Sequence, residues 1–82
     1  MTTPDTDVTM TLDCSELLCP LPVYKAGIAL GRLADGDVLR LVTTDPGALE
    51  DIPAMARQRG DTMVAVDEES DRQVFLIRKG AS

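Results

Sequence analysis

The sequence of 82 residues contains no histidine and no tryptophan, a single tyrosine, a single phenylalanine and two cysteines. Without an imidazole, neither a Ser-His nor a Cys-His nucleophile pair can be assembled, and most zinc sites lose their usual nitrogen ligand. Two thiols leave a tetrahedral zinc site short of soft ligands within one chain, so neither a metal nor a cofactor is expected. Two cysteines are also a thin disulfide framework for a small secreted domain, which points to a reducing compartment.

Positive charge is scarce as well. Eight Lys and Arg stand against fourteen Asp and Glu, for a net charge of −6, and no basic run is long enough to follow a phosphate backbone. No apolar run approaches the roughly 20 residues needed to cross a bilayer, and Met1 to Asp7 lacks the charged and apolar regions of a signal peptide. A soluble cytoplasmic protein is expected, with no direct nucleic-acid or membrane partner. With 44% apolar and 27% charged residues the chain has the composition of a folded protein, and its length suits one modest core. Residues 1–7 read as a flexible N-terminal tail and 8–80 as a single domain.

Val8, Met10 and Leu12 alternate with Thr9, Thr11 and Asp13, the period of a strand with one buried face. From Pro20 to about Leu33, Val23, Ala26/Gly27, Leu30 and Leu33 recur at helical spacing, with Pro20 suited to the first helical position. Gly27 and Gly31 share one side of this helix, which points to close helix-to-sheet packing ahead of a docking groove. Val38 to Thr43 is aliphatic and reads as a central strand. Asp45-Pro46 supplies an N-cap and a first helical proline, Leu49, Ile52 and Ala56 a buried stripe, and Gly60 a stop. Pro53 within that stripe predicts a kink, or a restart near Asp51. Thr62–Asp67 and Gln73–Lys79 read as a hairpin joined by the acidic loop around Glu68, Glu69, Ser70 and Asp71. The order β-α-β-α-β-β, with right-handed crossovers, predicts an α/β (α+β) two-layer sandwich: a four-stranded mixed sheet with both helices packed on one face.

The chemistry is concentrated in Asp13-Cys14-Ser15-Glu16-Leu17-Leu18-Cys19-Pro20-Leu21-Pro22, which runs from a strand end into a helix start. A free cysteine is usually a buried space-filler, and Cys14 on its strand fits that role. Cys19 falls at the expected N-cap, where unpaired N–H groups and the positive end of the helix dipole favour the nucleophilic thiolate. Pro20 and Pro22 stiffen the first turn and leave the N–H groups of Leu21 and Val23 available to the sulfur. Lys25, further along the helix, is placed to add positive charge, or simply to be a solvated helix residue.

The Cys19-Pro20-x-Pro22 element resembles the Cys-Pro-x-Pro signature of TusA/SirA-like sulfurtransferases. The similarity continues through Asp45-Pro46, Asp51-Ile52-Pro53 and Leu76-Ile77-Arg78-Lys79-Gly80, and so covers the chain from about Thr11 onward. The resemblance implies that Cys19 accepts sulfane sulfur as a persulfide and passes it to an acceptor protein. The relays it implies serve tRNA thiolation, molybdenum-cofactor supply or oxidative sulfur metabolism. It implies a donor protein, a cysteine desulfurase or a rhodanese-like protein, and a thiol acceptor protein. Glu16 stands where a glycine is usual and Leu18 where many members carry a basic residue. Glu16 therefore either forces a different loop or takes an unfavourable backbone geometry, and its carboxylate would oppose a thiolate at Cys19.

A carrier docks on donor and acceptor in turn, so Tyr24, Lys25 and Asp45 around Cys19 form the candidate docking face, with transient contacts. Two other readings stay open: a redox or regulatory module with a reversible Cys14–Cys19 disulfide, and a non-catalytic interaction domain, for which Glu16 and Leu18 are the motive.

Overall fold

The computed structural model describes residues 8–18 and 20–80. Along the chain it contains β1 (Met10–Cys14), α1 (Leu21–Gly31), β2 (Val38–Thr43), α2 (Ala48–Arg59), β3 (Thr62–Glu68) and β4 (Gln73–Arg78). The sheet order is β1-β2-β4-β3. β1 runs parallel to β2, whereas β4 is antiparallel to both of its neighbours, so β1, β2 and β3 share one direction. Each parallel crossover carries one helix, and α1 and α2 pack on each other as well as on the sheet. This is the expected mixed four-stranded sheet with two helices on one face.

The core lies between sheet and helices because alternate strand residues point the same way. Leu39 and Leu41 of β2 and Phe75 and Ile77 of β4 are fully buried against Ala26 and Leu30 of α1 and Ile52 and Ala56 of α2. The only phenylalanine is thus spent on packing. At the C-terminal end of β1 and β2 the same row continues as Cys14, Thr43 and Gln73, in register and buried.

Several local expectations are corrected. α1 begins at Leu21 with Pro20 as its N-cap, and Pro22 is the proline in the first turn. Position 19 therefore precedes the cap and is not the cap itself. α1 ends at Gly31 instead of Leu33, where the Arg32 and Leu33 N–H groups turn back to the carbonyls of Ala29 and Leu30. The pairing of Gly27 and Gly31 does not mark close packing, since a Cβ at either position meets nothing within 4 Å. α2 is capped by Gly47 instead of Asp45, and it runs as one helix through Pro53 without restarting at Asp51. Pro53 is the sixth residue of α2, beyond the first turn, so the helix forgoes the hydrogen bond that an N–H there would have given to the Leu49 carbonyl.

The end of the molecule away from the Cys19 loop is closed by long-range polar contacts. Lys79 Nζ donates to the carbonyls of Leu30 at 2.7 Å and Leu33 at 3.4 Å, placing a cation on the C-terminus of a helix whose own last turn has none. Gly60 ends α2 at a φ of 83°, and the Asp61 N–H donates to Ala56 at 2.8 Å. The Asp61 side chain, 2% exposed, pairs with Arg59 at 2.8 Å and accepts the Gly80 N–H at 2.9 Å. A Cβ at Gly80 would stand 1.9 Å from the Gly60 carbonyl oxygen, so only glycine fits. Part of the family-like closing segment is therefore scaffold.

Candidate functional site

Two parallel strands, β1 and β2, end side by side, and each leads into a helix. The loop after β1 is built from short hydrogen bonds. Asp13 Oδ1 accepts both the Ser15 N–H at 2.9 Å and the Ser15 hydroxyl at 2.5 Å, and the Leu17 N–H donates back to the Cys14 carbonyl at 3.2 Å. Glu16, inside this turn, has a φ of 67°, the one positive φ among the described non-glycine residues. The unfavourable geometry is thus the alternative realised where a glycine would be at ease. Its N–H donates to Thr44 Oγ1 at 2.7 Å, across to the start of the next strand-to-helix junction.

Cys19, the expected reactive residue, lies outside the described residues, but its chain neighbours are fixed. The Leu21 N–H donates to the Leu18 carbonyl at 2.9 Å, and the Tyr24 N–H to the Pro20 carbonyl at 3.1 Å. The Leu21 N–H, expected to be available to the sulfur, is therefore engaged. Pro22 is buried and Val23 half-buried, which anchors the first turn, whereas Pro20 and Leu21 are exposed.

Cys14 is fully buried at the foot of this loop. Burial pushes its thiol pKa up, against the attraction of Lys25 and with the help of Asp13. That thiol stays protonated and unreactive at neutral pH. The Asp13 carboxyl is held below its ordinary range by its hydrogen bonds from Ser15.

The β2–α2 junction is more firmly built. Asp45 Oδ1 accepts the Gly47 N–H at 3.0 Å, and the Ala48 N–H donates to the Asp45 carbonyl at 2.9 Å. Gln73 closes the junction from behind. With its nitrogen turned to the oxygens around it, this buried carboxamide donates to the carbonyls of Thr43 at 3.1 Å and Asp45 at 3.2 Å, with the Thr43 hydroxyl 2.7 Å away. Thr44 is gripped on both sides. Neither Thr44 nor Gln73 is recognisable from local sequence, because the contacts that matter join residues 28 and 30 positions apart.

The docking residues are only partly gathered. Tyr24, 65% exposed, stands on the outer crest of α1 with Leu21 and Ile28, and Leu18, in the loop before the helix, is also exposed, at 71%. The spacing 21, 24, 28 was the available signal for this apolar stripe. Lys25 lies on the β1 side of the crest, in an open groove of about 230 Å³ with Met10, Leu12, Ile28, Ala29 and Arg32. Asp45 lies on the α2 side, in a cleft with Pro22, Val23, Ala48 and Asp51 too narrow for a water molecule. On that side Pro20, Val23, Asp51, Ala54, Met55 and Gln58 line a second groove of about 300 Å³.

The family described as Sulfurtransferase TusA matches residues 10–79. The sulfur carrier protein TusA of Allochromatium vinosum is 40% identical over 73 residues, covering 89% of this chain and 96% of that protein. A putative sulfur carrier protein of Neisseria meningitidis serogroup A is 42% identical over 68 residues, covering 83% of this chain and 92% of that one. Among solved structures, a SirA-like protein from Desulfitobacterium hafniense superposes with a TM-score of 0.76 at 23% identity, covering 88% of this chain and 99% of the other, which shows the shared fold. With nearly the whole described domain inside the match, this chain belongs to the TusA family of sulfurtransferases, whose role is that of a sulfur carrier.

Proposed function

We propose that Cys19 is the carrier residue, accepting sulfane sulfur as a persulfide and handing it to an acceptor protein. The observation that carries this reading is the Cys19-Pro20-x-Pro22 spacing inside the family match, with Pro20 and Pro22 at the opening of α1. The Cys19 thiolate attacks the outer sulfur of a donor persulfide; a new S–S bond forms, the donor S–S bond breaks, and the donor leaves as a thiolate. In the second step an acceptor thiolate attacks the outer sulfur on Cys19, which returns to thiolate. No external oxidant or reductant is consumed, and no general base is needed beyond a favoured thiolate, which suits a chain without histidine.

Residues 8–80 act as one domain, and the carrier works in the cytoplasm between a cysteine desulfurase or rhodanese-like donor and a thiol acceptor. The relay serves tRNA thiolation, molybdenum-cofactor supply or oxidative sulfur metabolism. Pro20, Leu21, Pro22 and Val23 shape the site, and Tyr24, Lys25 and Asp45 contribute to docking. The exposed Leu18, Leu21, Tyr24 and Ile28 support an apolar contact along α1, of the small and transient kind a relay needs. Full burial of Cys14 weighs against a reversible disulfide as the working chemistry.

Intact-protein mass spectrometry after incubation with a sulfane-sulfur donor tests the reading. Wild type and Cys14→Ser should gain a reductant-labile sulfur atom and Cys19→Ser should gain none. Loss of two hydrogens that requires both cysteines would instead establish a dithiol switch, and no change in any variant an interaction domain.

A further inference from the structure

The hydrogen bond from the Glu16 N–H to the Thr44 hydroxyl, 2.7 Å long, joins the loop that leads to Cys19 to the junction between β2 and α2. Its two ends differ in rigidity. On the β2 side, the carbonyls of Thr43 and Asp45, which bracket Thr44, are both held by the buried Gln73 carboxamide. On the β1 side, Glu16 sits at a φ of 67°, a conformation in which a residue with a Cβ is strained. The bond is solvent-exposed, so it adds little to fold stability. Its consequence is where the chain runs: three residues before Cys19, the loop is pinned to a fixed point of the sheet.

We propose that Thr44 is a positioning residue for sulfur transfer, its hydroxyl fixing the path of the Cys19 loop through Glu16 while Gln73 holds Thr44 in place. The proposal rests on the carrier reading of Cys19. Transfer between two proteins requires attack along the axis of an S–S bond, with both sulfurs held by their chains, so a small displacement is costly. A small reagent approaches from any open direction and is insensitive to the same displacement.

The test compares wild type with Thr44→Val, which keeps the shape and removes the acceptor, and Thr44→Ser, which restores it. Each is loaded from a purified cysteine desulfurase supplied with cysteine, or from a rhodanese supplied with thiosulfate, and separately from inorganic polysulfide. Thr44→Val should load from the protein donor about tenfold more slowly, while polysulfide loading and iodoacetamide alkylation stay within about twofold. Thr44→Ser should match wild type, and the thermal midpoint of Thr44→Val should move by less than about 4 °C. Protein-donor loading of Thr44→Val at the wild-type rate, or Thr44→Ser as slow as Thr44→Val, overturns the proposal. If wild type takes no sulfur from any donor, the carrier reading fails, and amide hydrogen exchange at Glu16 judges the tether alone. Exchange about tenfold faster in Thr44→Val upholds the tether; unchanged exchange removes it.

Discussion

The two strand-to-helix junctions at one end of the sheet do the same topological job with different construction. The β2–α2 junction turns within a few residues, is closed by the Gly47 N–H on the Asp45 carboxylate, and is clamped from a third strand by Gln73. The β1–α1 junction is longer, holds Glu16 at positive φ, starts its helix on a proline cap and leaves Leu18 and Leu21 in solvent. The difference separates scaffold from working loop. Backbone strain and exposed apolar side chains collect beside the candidate sulfur site, while the neighbouring junction supplies the rigidity. One hydrogen bond, Glu16 to Thr44, passes that rigidity across.

The comparison breaks most visibly at Gln73. Gln73→Leu removes the carboxamide that reaches the Thr43 and Asp45 carbonyls and leaves the buried Thr43 hydroxyl without its partner, at a cost of about 2 kcal/mol, read as a fall of roughly 8–16 °C in the thermal midpoint. A small shift there would mean that the β2–α2 junction is no more rigid than its neighbour. Next in size is Tyr24→Ser on the helix that follows the working loop. Its side chain is mostly exposed, so the thermal midpoint should hold while loading from a protein donor slows about fivefold. Equal loss from polysulfide would remove Tyr24 from the docking face.

A smaller effect is expected at Glu16, where glycine relieves the left-handed strain but adds freedom to the unfolded chain. Glu16→Gly should stabilise by about 0.5 kcal/mol in urea unfolding, whereas destabilisation would show that the carboxylate holds the loop. The smallest is the acid limb of Asp13. Its folded pKa lies below the ordinary 3.8, so its contribution is present above that value and fades as pH falls through the folded one. In Asp13→Asn, stability should therefore decline less steeply on acidification below about pH 4. An unchanged acid limb would mean that the Ser15 turn contributes nothing to the loop.

Legibility followed the range of the interactions. β2 reads directly from four aliphatic residues among the six of Val38–Thr43, and the α2 stop reads from Gly60, because both depend on the chain's nearest neighbours. The sequence rules place the caps at Cys19 and Asp45, each followed by a proline, a residue or two before the observed caps Pro20 and Gly47. Gly27 and Gly31 suggested close packing, but the side of the helix they share meets no neighbour. Lys25 and Asp45 line different surfaces, Lys25 the groove beside β1 and Asp45 the cleft between Val23 of α1 and Ala48 of α2, a separation set by tertiary packing.

By itself the sequence determined the element order, the buried periodicities and the family resemblance with its Cys-Pro-x-Pro spacing, since each is written in residue types at short spacing. Tertiary structure alone decided that Glu16 takes the left-handed turn, that Thr44 receives its N–H, and that Gln73 grips the chain on both sides of Thr44. Those contacts join segments about 30 positions apart. They exist only because parallel pairing of β1 with β2, and insertion of β4 beside them, bring three strand ends to one place.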